Sequence, residues 1–491
     1  MKGFLNKHQI LSIAIISFLL SAVVVLLSCS LASFLYPHIS MQPYYNDPST
    51  FVIVGKEMVA GKTPYIEIFD HKGLYIFYVT ALYAYLGKFG IFLVMSIMMT
   101  ISLIFFILTL RELNYGKRVT IVGLLLFTAL YVFFAQFPGD ADLVVMVGMM
   151  MFYFYIKGYK NQNDKYYMLA CILAGVSAGI ALNIRPSDAM LGFAFMVFYL
   201  VKRIKEKKTA IMLRDAALCL GVLILTSLPA YLHAIAGGFL NEMVDAVFIS
   251  NFRYLGSSSD KSLALVWMSR LIVLAIFASI FLLWFFKRKE YELEESLFVL
   301  IVSVILFVIQ FAIALFAHYL ISVSGFIILA FMMVIQKYKL LDEEKKSAKP
   351  LTYATVFIFA ISLLFNPTLY LSHYFKDLGD ISYIEEIISK DDDRKNHTFL
   401  FAVSPGLYLN TGINVIYPDF NAQTYHMALN KSFTEEDMAN FVQSDVCHYF
   451  VFKNSDYDIA SRLMGDTNNW KAQKLNHKSL STTVVIYSHI I

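Results

Sequence analysis

The sequence predicts an α-helical polytopic membrane protein of about eleven transmembrane helices, followed by a small C-terminal extracytoplasmic α/β domain. Three observations carry that prediction. Of 491 residues, 58% are hydrophobic, 16% aromatic and only 15% charged, against about 45–50% apolar and about 25% charged in soluble globular chains. Apolar stretches long enough to cross a ~30 Å hydrocarbon core recur along most of the chain, and the mean hydropathy is +0.63. Lysine and arginine collect in alternate connections between those stretches. The composition excludes a soluble enzyme and a disordered scaffold. With 40 basic and 36 acidic residues, a net charge of +4 and no basic domain, it also excludes a nucleic-acid partner. Three of the four cysteines, Cys29, Cys171 and Cys219, lie in apolar stretches and only Cys447 in a polar one, so no disulfide framework or cysteine metal site is expected.

Taken in order, residues 9–36 are apolar beyond the length of one crossing and lack a small-residue cleavage site, which makes them a retained helix rather than a signal peptide. Further spans are expected at about 89–110, 119–137, 142–157, 165–182, 188–202, 212–235, 263–286, 296–317, 319–336 and 351–371. The basic clusters are Lys2 and Lys7; Arg111, Lys117 and Arg118; Lys157, Lys160 and Lys165; Lys202 to Lys208; Lys287 to Lys289; and Lys337 to Lys349. The positive-inside rule places them, and the N-terminus, in the cytoplasm. The loops 37–88, 138–141, 183–187 and 237–262, the surroundings of His318 and everything after 372 then lie outside.

Segment 74–86 (LYIFYVTALYAYL) is apolar, but a crossing there would invert every later loop. At thirteen residues it is also short for a span, and its aromatic residues favour the interface. It is expected as a juxtamembrane or re-entrant helix. The chain thus divides into a membrane domain, 1–371, with a polar first outer loop at 37–88, and an α/β domain at 372–491. In the latter, 398–403, 412–417, 447–452 and 482–488 read as strands, with helices at 435–443, opened by Thr434 and three acids, and at 455–464.

The first outer loop concentrates ionisable groups: Asp47, Lys56, Glu57, Lys62, Glu67, Asp70, His71 and Lys72. Residues 48–60 carry helical periodicity, with Phe51, Val54, Met58 and Val59 on one side, so a short helix is expected to lie on the membrane with Asp47 at its N-terminal cap.

The run Asp47-Pro48-Ser-Thr-Phe51, Lys56-Glu57-Met58, Gly61-Lys-Thr-Pro64-Tyr65 and Phe69-Asp70-His71-Lys72-Gly73 resembles the first-loop signature of the GT-C superfamily of glycosyltransferases. Within it the pattern is most similar to the protein O-mannosyltransferase and aminoarabinose-transferase branches. The resemblance extends over about residues 1–340, with only the first loop motif-specific. It departs at Pro48, where an acid is common, at Lys72-Gly73, where Lys-Pro is common, and at the next span, whose outer arginine is replaced by Lys88 as the nearest cation.

The resemblance implies transfer of a sugar from a polyprenyl-phosphate donor to an extracytoplasmic acceptor, a surface glycan, lipid or protein, with inversion. Such a reaction needs a carboxylate to accept the proton of the attacking hydroxyl and a cation to hold the leaving phosphate. Asp47 and Lys72 fit these roles. The competing readings are a helix cap for Asp47 and a snorkelling anchor for Lys72. Asp70 and His71 are secondary substrate-binding candidates.

Gly139-Asp140-Ala-Asp142 places two carboxylates in a very short outer loop. The resemblance implies a second acid there. Asp140 is the catalytic candidate, since Asp142 begins a helix and is read as substrate-binding. Arg185, in Asn183-Ile-Arg185-Pro186-Ser-Asp188, and Lys88 are further phosphate-binding candidates, although Arg185 has Asp188 as a salt-bridge partner. Arg253, His318 and Tyr319 are candidates for lining the cavity or anchoring at the interface. Asn396-His-Thr398 and Asn430-Lys-Ser432 match a glycosylation sequon that occurs often by chance. No cofactor is expected. No paired-histidine or HExxH array signals a fixed metal, although Asp140-Ala-Asp142 allows a loosely bound divalent ion. The alternatives are a transporter or flippase of lipid-linked sugars and a membrane-anchored assembly protein of a surface polysaccharide. A transporter is disfavoured because the ionisable groups gather at span ends rather than at mid-membrane in repeated halves.

Overall fold

In the computed structural model, residues 7–28, 46–134, 141–250, 321–342, 348–363, 392–403, 405–420, 433–453, 456–472 and 484–489 are described, with isolated positions between 275 and 289. Helices dominate. They are α1 (Lys7–Ser28), α2 (Asn46–Val59), α3 (Leu74–Thr80), α4 (Leu82–Glu112), α5 (Lys117–Phe134), α6 (Asp142–Asn161), α7 (Asp164–Leu182), α8 (Met190–Lys205), α9 (Thr209–Ala236), α10 (Leu240–Val244), α11 (Ile321–Lys337) and α12 (Ala348–Leu363).

Among the described residues, α4, α6, α7 and α9 are long and apolar enough to cross a membrane, and α1, α11 and α12 carry shorter apolar stretches. Each overlaps an expected span, with α1 and α12 ending at Ser28 and Leu363, before the expected ends at 36 and 371. The spans at 263–286 and 296–317 fall largely or wholly outside the described residues. The outward surface of α9 is what hydrocarbon demands: Leu213, Leu220, Ile224, Leu225, Leu232 and Ile235 are all more than half exposed, a row of apolar side chains that no aqueous surface would carry. Its inner face meets α7 at close range. A Cβ on Gly175 would lie 2.3 Å from the Cys219 carbonyl oxygen and one on Gly179 2.9 Å from that of Leu223, so small residues spaced by four let two backbones touch.

α4 packs on α1 and α6, α6 on α7, and α5 and α6 on α11. The connections after α4, α6, α8 and α11 meet at one end of the bundle. Asn161 donates to Glu112 at 3.3 Å, and Asp164 binds Arg203 at 2.8 Å and Lys208 at 3.5 Å. A cavity of about 360 Å³ there is lined by Lys117, Arg118, Lys339 and Asp342. Four of the six basic clusters therefore have described residues at a common end.

The segment after Gly73 forms two helices rather than the one expected across 74–86. α3 ends at Thr80, and α4 starts at Leu82 but is broken at Gly87 (φ 56°, ψ −148°), a left-handed backbone that glycine adopts without a Cβ penalty. The break separates 82–86 from the apolar run of α4. The helix expected to lie on the membrane, α2, is instead buried on all sides from Pro48 to Gly55. Val52 joins the core of the membrane bundle, while Phe51, Ile53 and Val54 join a second core made with the C-terminal residues.

That C-terminal region comprises α13 (Asp392–Asn396), β1 (Thr398–Phe401), α14 (Gly406–Thr411), α15 (Glu435–Val442), β2 (Tyr449–Lys453), α16 (Tyr457–Met464), β3 (Trp470–Ala472) and β4 (Val484–His489). The sheet order is β1-β2-β4-β3, with β1 and β2 parallel and the other pairs antiparallel. α15 begins with a reciprocal capping box between Thr434 and Asp437, which satisfies two amide donors that the helix cannot satisfy itself. Residues 412–417 are not the strand expected from their alternation, and β3 was not anticipated.

Candidate functional site

The first loop is stitched to the rest of the protein at the end of the bundle away from the basic clusters. Two backbone bonds join it to the turn after α7: Gly73 N–H donates to Ile184 O at 3.0 Å, and Tyr75 N–H to Asn183 O at 3.1 Å. Glycine is required here. A Cβ at residue 73 would lie 2.1 Å from the Asn183 carbonyl oxygen. Lys72 and Arg185 consequently flank the Gly73–Ile184 hydrogen bond, one residue to either side.

Both cations are buried, Lys72 to 5% and Arg185 to 5% exposure. Arg185 meets Asp188 through two nitrogens at 2.7–3.0 Å, the bidentate geometry in which an arginine–carboxylate pair is strongest. The salt-bridge reading of Arg185 is the one seen. Asp188 lies in a single 3₁₀ turn (Pro186–Ala189) whose proline follows the arginine, so the pair is held by one local element.

Inside the loop, Asp70 Oδ1 accepts the Lys72 backbone N–H at 2.8 Å, and the Tyr65 hydroxyl donates to the Lys72 carbonyl at 2.8 Å. Tyr65 has φ 64°, an uncommon conformation for a bulky residue. It is held there by burial of its ring against Phe77 and Phe239 and by its own N–H bond to Ile68 O at 2.8 Å. Burial, and secondarily the charge of Asp70, raises the Tyr65 hydroxyl well above its ordinary pKa, so it remains a donor. Asp70, Tyr65 and Gly73 thus fix the backbone on each side of Lys72.

The loop is also gripped by the C-terminal region. Phe69 N–H donates to Pro418 O at 2.9 Å, Lys62 Nζ donates to Val415 O at 2.6 Å, and the Phe69 ring packs edge-on to Phe433. Lys62 is paired with Glu57 at 2.9 Å. Sequence reasoning missed Asp419, a wholly buried carboxylate one residue beyond the Pro418 anchor. The signal available was Pro418-Asp419 beside an apolar run, with nothing to tie it to residue 69.

Asp47 sits one residue inside α2 rather than at its cap, since the helix begins at Asn46. Its side chain is not among those described. Asp142 is the first residue of α6, buried, and accepts from the Tyr131 hydroxyl. Lys88 is half-buried just beyond the Gly87 break, and His71 is half-buried between Asp70 and Lys72. Asp140, Arg253, His318 and Tyr319 lie outside the described residues. A group that sequence reasoning did not assemble lies in the C-terminal region: ligand atoms of Asp393, His397 and His448 all fall within 4.8 Å of one another.

Residues 71–231 match the dolichyl-phosphate-mannose-protein mannosyltransferase family. The chain carries a glycosyltransferase-like segment. The match opens at His71, inside the pinned loop, and ends at Tyr231 within α9. Crystal structures of the Archaeoglobus fulgidus oligosaccharyltransferase, in the apo form and in complex with zinc and sulfate, are similar in outline. Their TM-scores are 0.48 and 0.43 at 13% identity, covering 95% and 93% of this chain and 73% and 71% of theirs. No curated protein matches the chain.

Proposed function

We propose that the protein transfers a sugar from a polyprenyl-phosphate-linked donor to an extracytoplasmic acceptor, with inversion, in a site built on the first loop. The observation that carries this reading is that the matched segment begins within a loop whose backbone is locked on both sides of a buried lysine. In this reaction the acceptor oxygen bonds to the anomeric carbon as the bond from that carbon to the phosphate oxygen breaks. Asp47 takes the proton of the attacking hydroxyl. Lys72 holds the phosphate, which leaves as polyprenyl phosphate with the bonding electron pair, its growing charge met by a cation already desolvated and in place.

Lys88 and Arg185 are the further phosphate-binding groups, with Arg185 oriented by Asp188. Asp140 orients the acceptor, and Asp70, His71, Asp142, Arg253, His318 and Tyr319 line the substrates. The loop and the C-terminal region face the extracytoplasmic side, the basic end the cytoplasm. The reading is supported by the contact between loop and C-terminal region and by convergence of the basic connections at the opposite end. The test is to incubate membranes containing the protein with radiolabelled polyprenyl-phosphate sugars. Transfer of label in the wild type that is absent in Asp47→Asn supports the proposal, whereas equal transfer by both removes Asp47 from the mechanism.

A further inference from the structure

We propose that Asp393, His397 and His448 form a zinc site on the C-terminal sheet, separate from the sugar-transfer loop. The three residues come from α13 and from the positions immediately before β1 and β2. The parallel pairing of these strands aligns Thr398 with Tyr449, which brings the preceding histidines side by side. The backbone fixes them firmly: the N–H groups of His448 and Tyr449 both donate to His397 O at 3.0 Å, and His489 N–H donates to His448 O at 2.8 Å. Their rings stack at 4.1 Å with an interplanar angle of 11°, so both ring edges reach one carboxylate.

The distances bring both rings within reach of the carboxylate. His397 Nε2 lies 3.5 Å from Asp393 Oδ1, and His448 Nδ1 lies 3.3 Å from Asp393 Oδ2. The His448 contact is a long hydrogen bond beside the usual 2.7–3.2 Å, and the two contacts go to different oxygens of the carboxylate. They match the edge of a tetrahedron whose ligands stand about 2.0–2.1 Å from a zinc ion, roughly 3.3–3.4 Å.

The hydrogen bonding agrees with the same assignment. His397 Nδ1 lies 2.9 Å from the Val446 carbonyl, which can only accept, so Nδ1 is the donor of that bond and Nε2 is the ring nitrogen turned toward Asp393. A ring nitrogen bonded to a backbone carbonyl is the usual support for a metal-binding histidine. The Asp393, His397 and His448 side chains are 54%, 32% and 21% exposed, which leaves an entry path and room for water as fourth ligand. Arg394, the neighbouring cation, has its guanidinium over the Tyr449 ring. Two histidines and one carboxylate form a donor set that zinc accepts with an open fourth position. Because the ligands bridge α13, β1 and β2, the ion would cross-link the edge of the sheet.

The experiment uses the full-length protein in detergent, purified without a histidine tag, stripped with chelator and dialysed against zinc. Elemental analysis should find an equivalent of zinc that is retained in Asp140→Asn and lost in Asp393→Ala. Asp393 is exposed enough for its variants to fold. Cobalt in place of zinc should give the intense visible absorption of a tetrahedral ion, and Asp393→Cys should add a thiolate-to-cobalt charge-transfer band that only direct ligation produces. Zinc content unchanged in Asp393→Ala, or a cobalt spectrum identical in wild type and Asp393→Cys, overturns the proposal. Neither outcome bears on whether the first loop transfers sugar.

Discussion

Gly73→Ala is the sharpest probe of the loop. The added Cβ would stand 2.1 Å from the Asn183 carbonyl oxygen and 2.2 Å from its carbon. Ordinary contact between non-bonded heavy atoms is near 3.5 Å, so the two backbones must part by about 1 Å. Both neighbours in the collision are main chain and cannot rotate away. The Gly73–Ile184 and Tyr75–Asn183 hydrogen bonds, at 3.0 and 3.1 Å, would then stretch beyond useful length. Each bond contributes about 1 kcal/mol net, and each buried group left without a partner costs about 1–3 kcal/mol, so local destabilisation of about 2–5 kcal/mol is expected. A displacement of this size near a reacting centre can cost about 10²-fold in rate. The assay pairs transfer from a polyprenyl-phosphate sugar with a thermal melt of the purified protein. Activity within a few fold of wild type at an unchanged melting temperature would refute the role assigned to this contact.

Asp47→Asn should lower transfer by about 10²–10⁴-fold while membrane insertion and melting temperature hold, read by the same assay with expression controls; near-normal turnover would move the base to Asp140. Lys72→Ala should weaken donor use more than Lys72→Arg, whose planar fork only partly replaces a compact ammonium, and equal donor kinetics in all three proteins would end the phosphate assignment. Asp188→Ala leaves buried Arg185 without its bidentate carboxylate and should destabilise by about 3–5 kcal/mol, with Arg185→Ala/Asp188→Ala less affected than either single variant in thermal melts. In a cysteine-free background, single cysteines at Ala60 and Asp458, both exposed, should react with an impermeant reagent from one side of the membrane. Those at Lys117 and Lys205 should react only from the other side, and a shared pattern for all four would break the alternation of spans.

The membrane helices were legible because hydropathy acts locally: a run of apolar residues declares a span whatever it packs against. Legibility failed where a partner lay far along the chain. α2 reads as one-sided from Phe51, Val54, Met58 and Val59, yet is buried all round because α14, from more than 300 residues away, packs on it in addition to α3 and α4. Residues 412–417 alternate like a strand, and Tyr417 is indeed buried, but the carbonyls of Val415 and Pro418 are taken by Lys62 and Phe69 of the first loop instead of a neighbouring strand. β3 is three residues long and too short for periodicity to show. The Arg185–Asp188 pair was readable because its members are three apart. The grouping of His397 with His448 depends on strand pairing, which spacing along the chain does not announce.

The bond from Lys62 to Val415 joins residues 353 apart. During synthesis the first loop leaves the ribosome early and must wait for nearly the whole polypeptide before its last anchor exists. Until then Phe69 has neither its hydrogen-bond acceptor nor its aromatic neighbour. If the loop is the site of transfer, as proposed, activity should appear only after the C-terminal region has joined it. A premature stop shortly before residue 415 removes the Val415 and Pro418 carbonyls that anchor Lys62 and Phe69.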